Sequence, residues 1–334
     1  MVRQINPSLS RLWLNENSRQ YGANQRLVLN HLTEPELRVL DYLELGVTES
    51  QFPQLSKLTK TKPEKLASLL EKLSPLIVRT SAFMPEISGL DVERSFSEIM
   101  RLYLLEHQDP VMALQKRKSS KVYISHLDRT GVMIMKALSA SGLGTLFTAD
   151  QSKVSKSDTL ELGFPEHALG KQRAVAAKQL LSNSRIELHS RVTQSFDRAE
   201  CAVIIANAVV APADYARWLS RDVPHLSITY DEVGVQVSHL VLPGITPCLG
   251  CLEIERMQQD ASWARIAPQL ANLDRNLGDS SVSLFAAGVG VSLVLNLIDD
   301  VESLGSQKIT RLSRDSSVYQ RELPTTNCGC RLGE

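Results

Sequence analysis

The sequence predicts an α/β protein: a Rossmann-like, mostly parallel sheet preceded by a small winged-helix-like α+β module. Three observations predict it. From residue 121 onward short apolar strands alternate with helix-patterned stretches, the order that folds into a parallel sheet with right-handed crossovers. The first 80 residues instead give half-polar strands and then short capped helices. Finally, "KVYISHLDRTGVMIMKALSASGLGTLFTAD" (121–150) runs strand, loop, helix, glycine turn, and a second strand ending in Asp150. The expected division is a module over 1–80, a connector over 81–120, and the larger domain over 121–334.

The elements follow in order. "SRLWLNE" and "QRLVLNHL" alternate apolar and polar residues, as half-buried strands do, with Tyr21-Gly22-Ala23-Asn24 read as the turn between them. "TEPELRVLDYLELG" opens a helix with Thr33 and Glu36 as a capping box, Pro35 in the first turn and Gly46 as the stop. A short helix is expected around 50–58. "TKPEKLASLLEKLS" repeats the pattern, with Thr61 and Glu64 as the box and Leu66, Leu69, Leu70 and Leu73 on one face. "LIVRTS" returns as a strand. Residues 81–120 carry helical stretches and a basic run, "QKRKSSK", read as a solvated linker. The later strands are KVYIS, TLFTA, RIELH, CAVIIA, HLSITY and QVSHLVL, and "SLFAAGVGVSLVLNLID" reads as a buried helix.

Composition narrows the function. Lys+Arg and Asp+Glu both number 37, so no bulk charge draws the chain to nucleic acid or an anionic membrane. The N-terminal stretch has no apolar core of a signal peptide, and the longest apolar run, Leu284 to Ile298, falls short of the roughly 20 residues of a bilayer helix. A cytoplasmic protein without membrane or nucleic-acid partners is expected. No glycine-flanked serine elbow and no H-E-x-x-H appear, so no catalytic residue is assigned. His225 and His239, on apolar strands, are expected to be satisfied core residues.

Of five cysteines, Cys201 opens an apolar strand and reads as core. The other four form two close pairs, Cys248 and Cys251 in "PCLGC", Cys328 and Cys330 in "NCGC". Such pairs suit tetrahedral thiolate ligation of a structural zinc, which leaves no open position for catalysis. Two disulfides are the competing arrangement, which no export signal supports.

These zinc pairs, the strand-loop-helix unit and the late apolar helix together resemble the ThiF/MoeB/HesA (ubiquitin-activating-type) superfamily over residues 121–334. Gly131 and Gly142 stand eleven apart before a "GLG" turn, and the second strand ends in Asp150, where the family holds the ribose. The resemblance implies ATP, Mg²⁺ and adenylation of a C-terminal carboxylate, yet the family's site residues are replaced. The first, third and fourth loop glycines fall on His126, Asp128 and Arg129. The phosphate-contacting arginine falls on Glu161, the lysine on Arg173 and the Mg²⁺-binding aspartate on Asn207. Side chains block the backbone approach to phosphate that glycine allows, and adenylyl transfer depends on such positioning. No ATP binding is expected.

A winged-helix-like module before a ThiF-like domain resembles the leader-peptide-binding partners of the YcaO cyclodehydratases in azole and azoline peptide maturation. The resemblance implies that the chain binds a precursor leader as an added strand and presents it to a YcaO-type partner enzyme, as a non-catalytic scaffold and a homodimer. It would place the groove at Arg26, Val28 and Asn30 and along the following helix at Lys62, Lys65 and Leu69, the lysines facing an acidic leader. Two other readings remain: an adenylyltransferase of the ThiF/MoeB type, and a winged-helix DNA-binding regulator. The last is weakened by a presumptive recognition helix without Arg.

Overall fold

The computed structural model describes residues 2–24, 27–80, 95–105, 110–182, 186–190, 198–271, 277–301, 308–326 and 328–331. The chain divides into two compact units, Met1–Gln115 and Lys116–Glu334.

The first unit holds strands β1 (Val2–Ile5), β2 (Arg11–Asn15), β3 (Ser18–Tyr21), β4 (Leu27–Leu29), β5 (Val47–Thr48) and β6 (Ile77–Thr80). They form two three-stranded sheets, β5-β1-β6 and β2-β3-β4. Its helices are α1 (Glu34–Leu45), α2 (Leu55–Thr59), α3 (Pro63–Leu73), α4 (Phe96–Leu104) and the first part of α5 (Pro110–Ser119). A single apolar cluster that includes Ile5, Tyr21, Leu40, Leu55 and Leu73 unites strands and helices.

α1 starts and stops where its sequence directs. The Thr33 N–H donates to the Glu36 carboxylate at 2.8 Å. At the other end Gly46 adopts φ 97°, and a Cβ there would meet the Val2 side chain at 2.6 Å, so only glycine fits. α3 differs from expectation. Its N-cap is Lys62, without a side-chain cap, and Pro63 opens the helix. The Thr61 hydroxyl is turned inward instead, bonded to the Pro35 carbonyl (3.1 Å) and the Thr59 hydroxyl (2.8 Å).

The expected turn at Tyr21–Asn24 begins too early, because Tyr21 ends β3 and is fully buried. The tight turn is Glu16–Asn17, between β2 and β3. β3 has the sequence SRQY, which carries no apolar alternation, yet all four residues are buried.

The second unit builds one eight-stranded sheet. Its strands are β7 (Lys121–Ile124), β8 (Thr145–Phe147), β9 (Glu187–His189), β10 (Cys201–Asn207), β11 (His225–Tyr230), β12 (Gly234–Val237), β13 (Ile309–Ser313) and β14 (Val318–Arg321). They stand in the order β14-β13-β12-β11-β10-β7-β8-β9. The five strands from β11 to β9 pair in parallel, and β12 to β14 extend the sheet antiparallel. The order reverses between β7 and β10, a topological switch point where α/β sheets bind ligands.

Helices α6 (Arg129–Ala140), α7 (Arg173–Leu180), α8 (Pro212–Leu219), α9 (Leu249–Gln259), α10 (Trp263–Ala271) and α11 (Ser280–Ile298) cover this sheet and its loops. α11 is longer than the apolar run suggested: its 19 residues are long and apolar enough to cross a membrane. Here it serves as a core helix. Val282, Ala286, Gly290, Val294 and Ile298 are buried along one face, and a Cβ on Gly290 would touch Ile228 of β11 at 3.3 Å.

Candidate functional site

The switch point is where the nucleotide-site positions converge. β7 ends at Ile124, four loop residues follow, and α6 begins at Arg129. Gly131 lies in the first turn of α6, and a Cβ on it would stand 1.9 Å from the His126 carbonyl oxygen. That glycine is fixed by the close packing of the helix on its own loop. Asp128 caps α6 by accepting the Gly131 N–H at 3.0 Å.

Several of the loop's polar groups find partners within the loop and its neighbours, although Arg129 Nε is buried without one. The Leu127 N–H donates to Asp150 at 2.7 Å, and the other Asp150 oxygen accepts the Ser152 N–H at 2.8 Å. Arg173 reaches Asp150 at 3.5 Å and grips Asp158 through Nε (3.1 Å) and Nη2 (2.8 Å). Arg129 donates to the carbonyls of Gly278 and Ser157, each at 2.9 Å. The crevice between β7 and β10 is bridged as well. The Ser125 hydroxyl accepts the Ile205 N–H at 2.8 Å, and His126 Nδ1 lies 3.1 Å from the Ile205 carbonyl.

Electrostatics agree with a closed arrangement. Burial alone would raise the Asp150 pKa, but the Leu127 and Ser152 donors and the Arg173 charge hold it below the usual carboxylate range. Asp128 behaves oppositely: burial pushes it up, and its bond from Gly131 does not offset that. The site thus sets the carboxylates of Asp128 and Asp150 beside the guanidinium groups of Arg129 and Arg173.

His126, Asp128, Arg129, Gly131, Asp150 and Arg173 therefore lie around one loop at the sheet's switch point. Asn207 ends β10, one strand away. Glu161 is exposed and takes no part in these bonds. Sequence reasoning missed Asp158, which is fully buried and is the main partner of Arg173. It also missed Tyr230, whose hydroxyl bonds Thr130 at 2.6 Å. An aspartate fifteen residues before an arginine gives no local signal; the pair forms because residues 151–172 fold back on themselves.

The second cluster lies at the start of α9. The Cys248, Cys251, Cys328 and Cys330 sulfurs all fall within 4.8 Å of one another. Cys248 to Cys328 is 3.4 Å and Cys251 to Cys330 is 3.6 Å. Both exceed the about 2.05 Å of a disulfide, so the four thiols are free. Both approach the ~3.8 Å sulfur–sulfur edge of a tetrahedron with metal–sulfur bonds of about 2.3 Å. The four sulfurs fit a thiophilic divalent metal such as zinc. Gly329 turns the chain between the C-terminal pair at φ 86°, and the Thr326 hydroxyl bonds the Cys251 carbonyl at 2.9 Å.

In the first unit, β4 is an edge strand. The pairing of Gln20 with Val28 alternates with the bonded pairs on either side. Val28 therefore turns its backbone N–H and carbonyl to the free edge. Val28, Asn30, Lys62 and Lys65 are exposed. Leu69 is a correction: at 4% exposure it belongs to the module's core, because it lies on the inward face of α3. Arg26 lies outside the described residues.

His225 and His239 are also corrected. Both are fully buried, but each is only half satisfied. His225 Nδ1 bonds the Val223 carbonyl at 2.9 Å and His239 Nε2 the Pro247 carbonyl at 2.6 Å, while the second nitrogen of each has no partner. Burial lowers both pKa values, that of His239 to about 4.

The sheet order, the strand-loop-helix unit and the four-cysteine cluster define a ThiF-like fold preceded by a small α+β unit. Solved structures agree. E. coli MccB bound to AMPCPP and MccA is similar over 99% of this chain and 100% of its own, at TM-score 0.73 and 15% identity. E. coli MccB with ATP is similar over the same shares at TM-score 0.70 and 15% identity. PaaA is similar over 78% of this chain and 91% of its own, at TM-score 0.61 and 20% identity. No protein-family model matches the chain, and no curated protein sequence matches it.

Proposed function

We propose that this chain is a non-catalytic scaffold that binds the leader of a ribosomally made precursor peptide and presents it to a partner modifying enzyme of the cyclodehydratase type. The observation that carries this reading is the self-filled switch point. Leu127 N–H is spent on Asp150, Gly131 N–H on Asp128, and Arg173 on Asp158, so these two amides and this cation are not offered to phosphate. Residues 1–80 act as the recognition module: the leader adds a strand to the free β4 edge beside α3, where Lys62 and Lys65 favour an acidic sequence. The larger domain carries one structural zinc on its four thiolates and pairs with a second copy.

A second reading has a specific basis. MccB has this fold over its whole length and has been solved with ATP and with AMPCPP and MccA. An adenylyltransferase is therefore the competing function.

The test is calorimetric, on the full-length protein. Titration with a candidate precursor peptide gives saturable binding in the micromolar to nanomolar range, about 8–12 kcal/mol. ATP with Mg²⁺ gives no heat, and pyrophosphate exchange stays at background. Saturable ATP binding promotes the adenylation reading. Binding to duplex DNA alone, with steep salt dependence, removes both. Val28→Pro deletes an outward N–H while sparing the bonds of Leu27 and Leu29 to β3; it abolishes leader binding with the circular dichroism unchanged.

A further inference from the structure

The β2-β3-β4 sheet has a second free edge, and its chemistry differs from the first. All five residues of β2 are exposed, with Leu12, Trp13 and Leu14 at 39%, 67% and 51%. A solvated strand ordinarily carries polar side chains outward, and a free edge is ordinarily guarded by charge or proline. The bond from the Gly22 N–H to the Ser10 carbonyl sets the parity of this ladder. Alternation along β2 then turns the backbone groups of Arg11 and Trp13 away from β3, toward the open side.

Arg19 is the cross-strand neighbour of Trp13 and lies against its indole. Only 3% of Arg19 is exposed. Among the described residues its guanidinium makes one hydrogen bond, at 3.4 Å, to the Ser18 carbonyl, and no ion pair. Glu44 is already engaged by the Tyr21 hydroxyl (2.6 Å) and by Arg11 (3.7 Å). Asp41 attracts Arg19 only from beyond contact. A largely buried guanidinium is most stable when carboxylates accept its fork of donors; Glu44 and Asp41 attract Arg19, and among the described residues neither accepts a hydrogen bond from it. The indole that covers it sits on an exposed strand, held there by a stacking contact alone.

We propose that the β2 edge, with Arg19 beneath Trp13, is a docking site for an acidic, extended strand of a partner protein. The strand pairs with the main chain of Arg11 and Trp13 and rests apolar side chains on Leu12 and Leu14. One of its carboxylates reaches Arg19 as the indole swings aside. A second copy of this chain is the wrong occupant, because two β2 edges brought together would set the arginines of each against those of the other. The site lies on the opposite edge of the sheet from β4 and does not depend on leader binding there.

The probe is a blocked heptapeptide of alternating Val and Glu, titrated calorimetrically into the full-length protein beside its Val and Lys counterpart. The acidic peptide binds more tightly by about tenfold or more, and Arg19→Met removes about tenfold of that affinity. Val28→Pro, which closes the β4 edge to an acidic strand, removes any binding there and leaves the share of the affinity that Arg19→Met and Leu12→Glu remove. Leu12→Glu, at an exposed position, weakens the acidic peptide even if Arg19→Met fails to fold. Arg19→Met keeps its melting temperature, because it deletes a buried charge that has no partner. Equal affinity for the two peptides overturns the proposal, as does sensitivity to Val28→Pro without sensitivity to Leu12→Glu. A marked fall in the Arg19→Met melting temperature overturns it by making Arg19 a structural residue. A Trp13-dependent dimer in sedimentation, with no peptide binding, gives the surface to a second copy.

Discussion

Arg173 holds two buried carboxylates, Asp150 and Asp158, and removing it leaves both without their counter-charge. Arg173→Ala should cost about 3–5 kcal/mol, the range for breaking one side of a buried pair, read from urea denaturation midpoints. The buried histidines set a pH dependence of known sign. The unfolded chain binds a proton at each below pH about 6.5, whereas the folded chain resists because burial depresses both values, His239 to about 4. The stability they contribute is present in full above pH 6.5 and is lost as pH falls toward 4, about 3 kcal/mol for His239. His239→Gln keeps a donor for the Pro247 carbonyl and should flatten the fall between pH 7 and pH 5. At this scale the sequence was informative about which residues meet at the switch point and silent about how. That Asp150 engages the Leu127 N–H and Asp128 the Gly131 N–H is a matter of hydrogen-bond geometry, and no residue pattern encodes it.

Two glycines test how tightly the elements are packed. Gly131 of α6 has the His126 carbonyl 1.9 Å from where a Cβ would stand, and backbone cannot give way cheaply. Gly131→Ala should lose about 3 kcal/mol or more, with the melting temperature as readout. Gly288 of α11 is exposed and has nothing within 4 Å of the same point. Gly288→Ala should gain roughly 0.5–1 kcal/mol by raising helix propensity. Elements with strong local signals were legible. β10 opens with the apolar run CAVIIA, β11 alternates Leu226, Ile228 and Tyr230 with polar residues, α1 carries its own start and stop, and α11 is apolar on nearly every face. β3, β13 and β14 were not. Their sequences, SRQY, ITRLS and VYQR, are half polar, and they become strands because an adjacent strand offers a ladder. The same competition defeated the Thr61 box, where a long-range bond to Pro35 outweighed a local cap.

At the scale of the whole chain, the four thiols make the sharpest forecast. Elemental analysis of purified protein should find one zinc per chain, and Cys328→Ser should lower both metal content and stability together. A folded, metal-free preparation whose four thiols are all alkylated would end that idea. The cluster was legible because close cysteine pairs are rare and their spacing is diagnostic; the β12–β13 pairing was not, because it joins distant stretches, Gly234 to Ser313 and Val237 to Thr310. The sulfur contacts join residues 80 and 79 positions apart, and between them lie α9, α10, α11, β13 and β14. A metal bound there turns that stretch into a closed ring whose far side is stitched to β12 outside it. In the chain-entropy view, a ring of this size restricts the unfolded state by about 4–5 kcal/mol. Because the clasp is a coordination bond, a chelator can open it without cutting the chain, and the final two strands then keep their places by the β12–β13 ladder and side-chain packing alone.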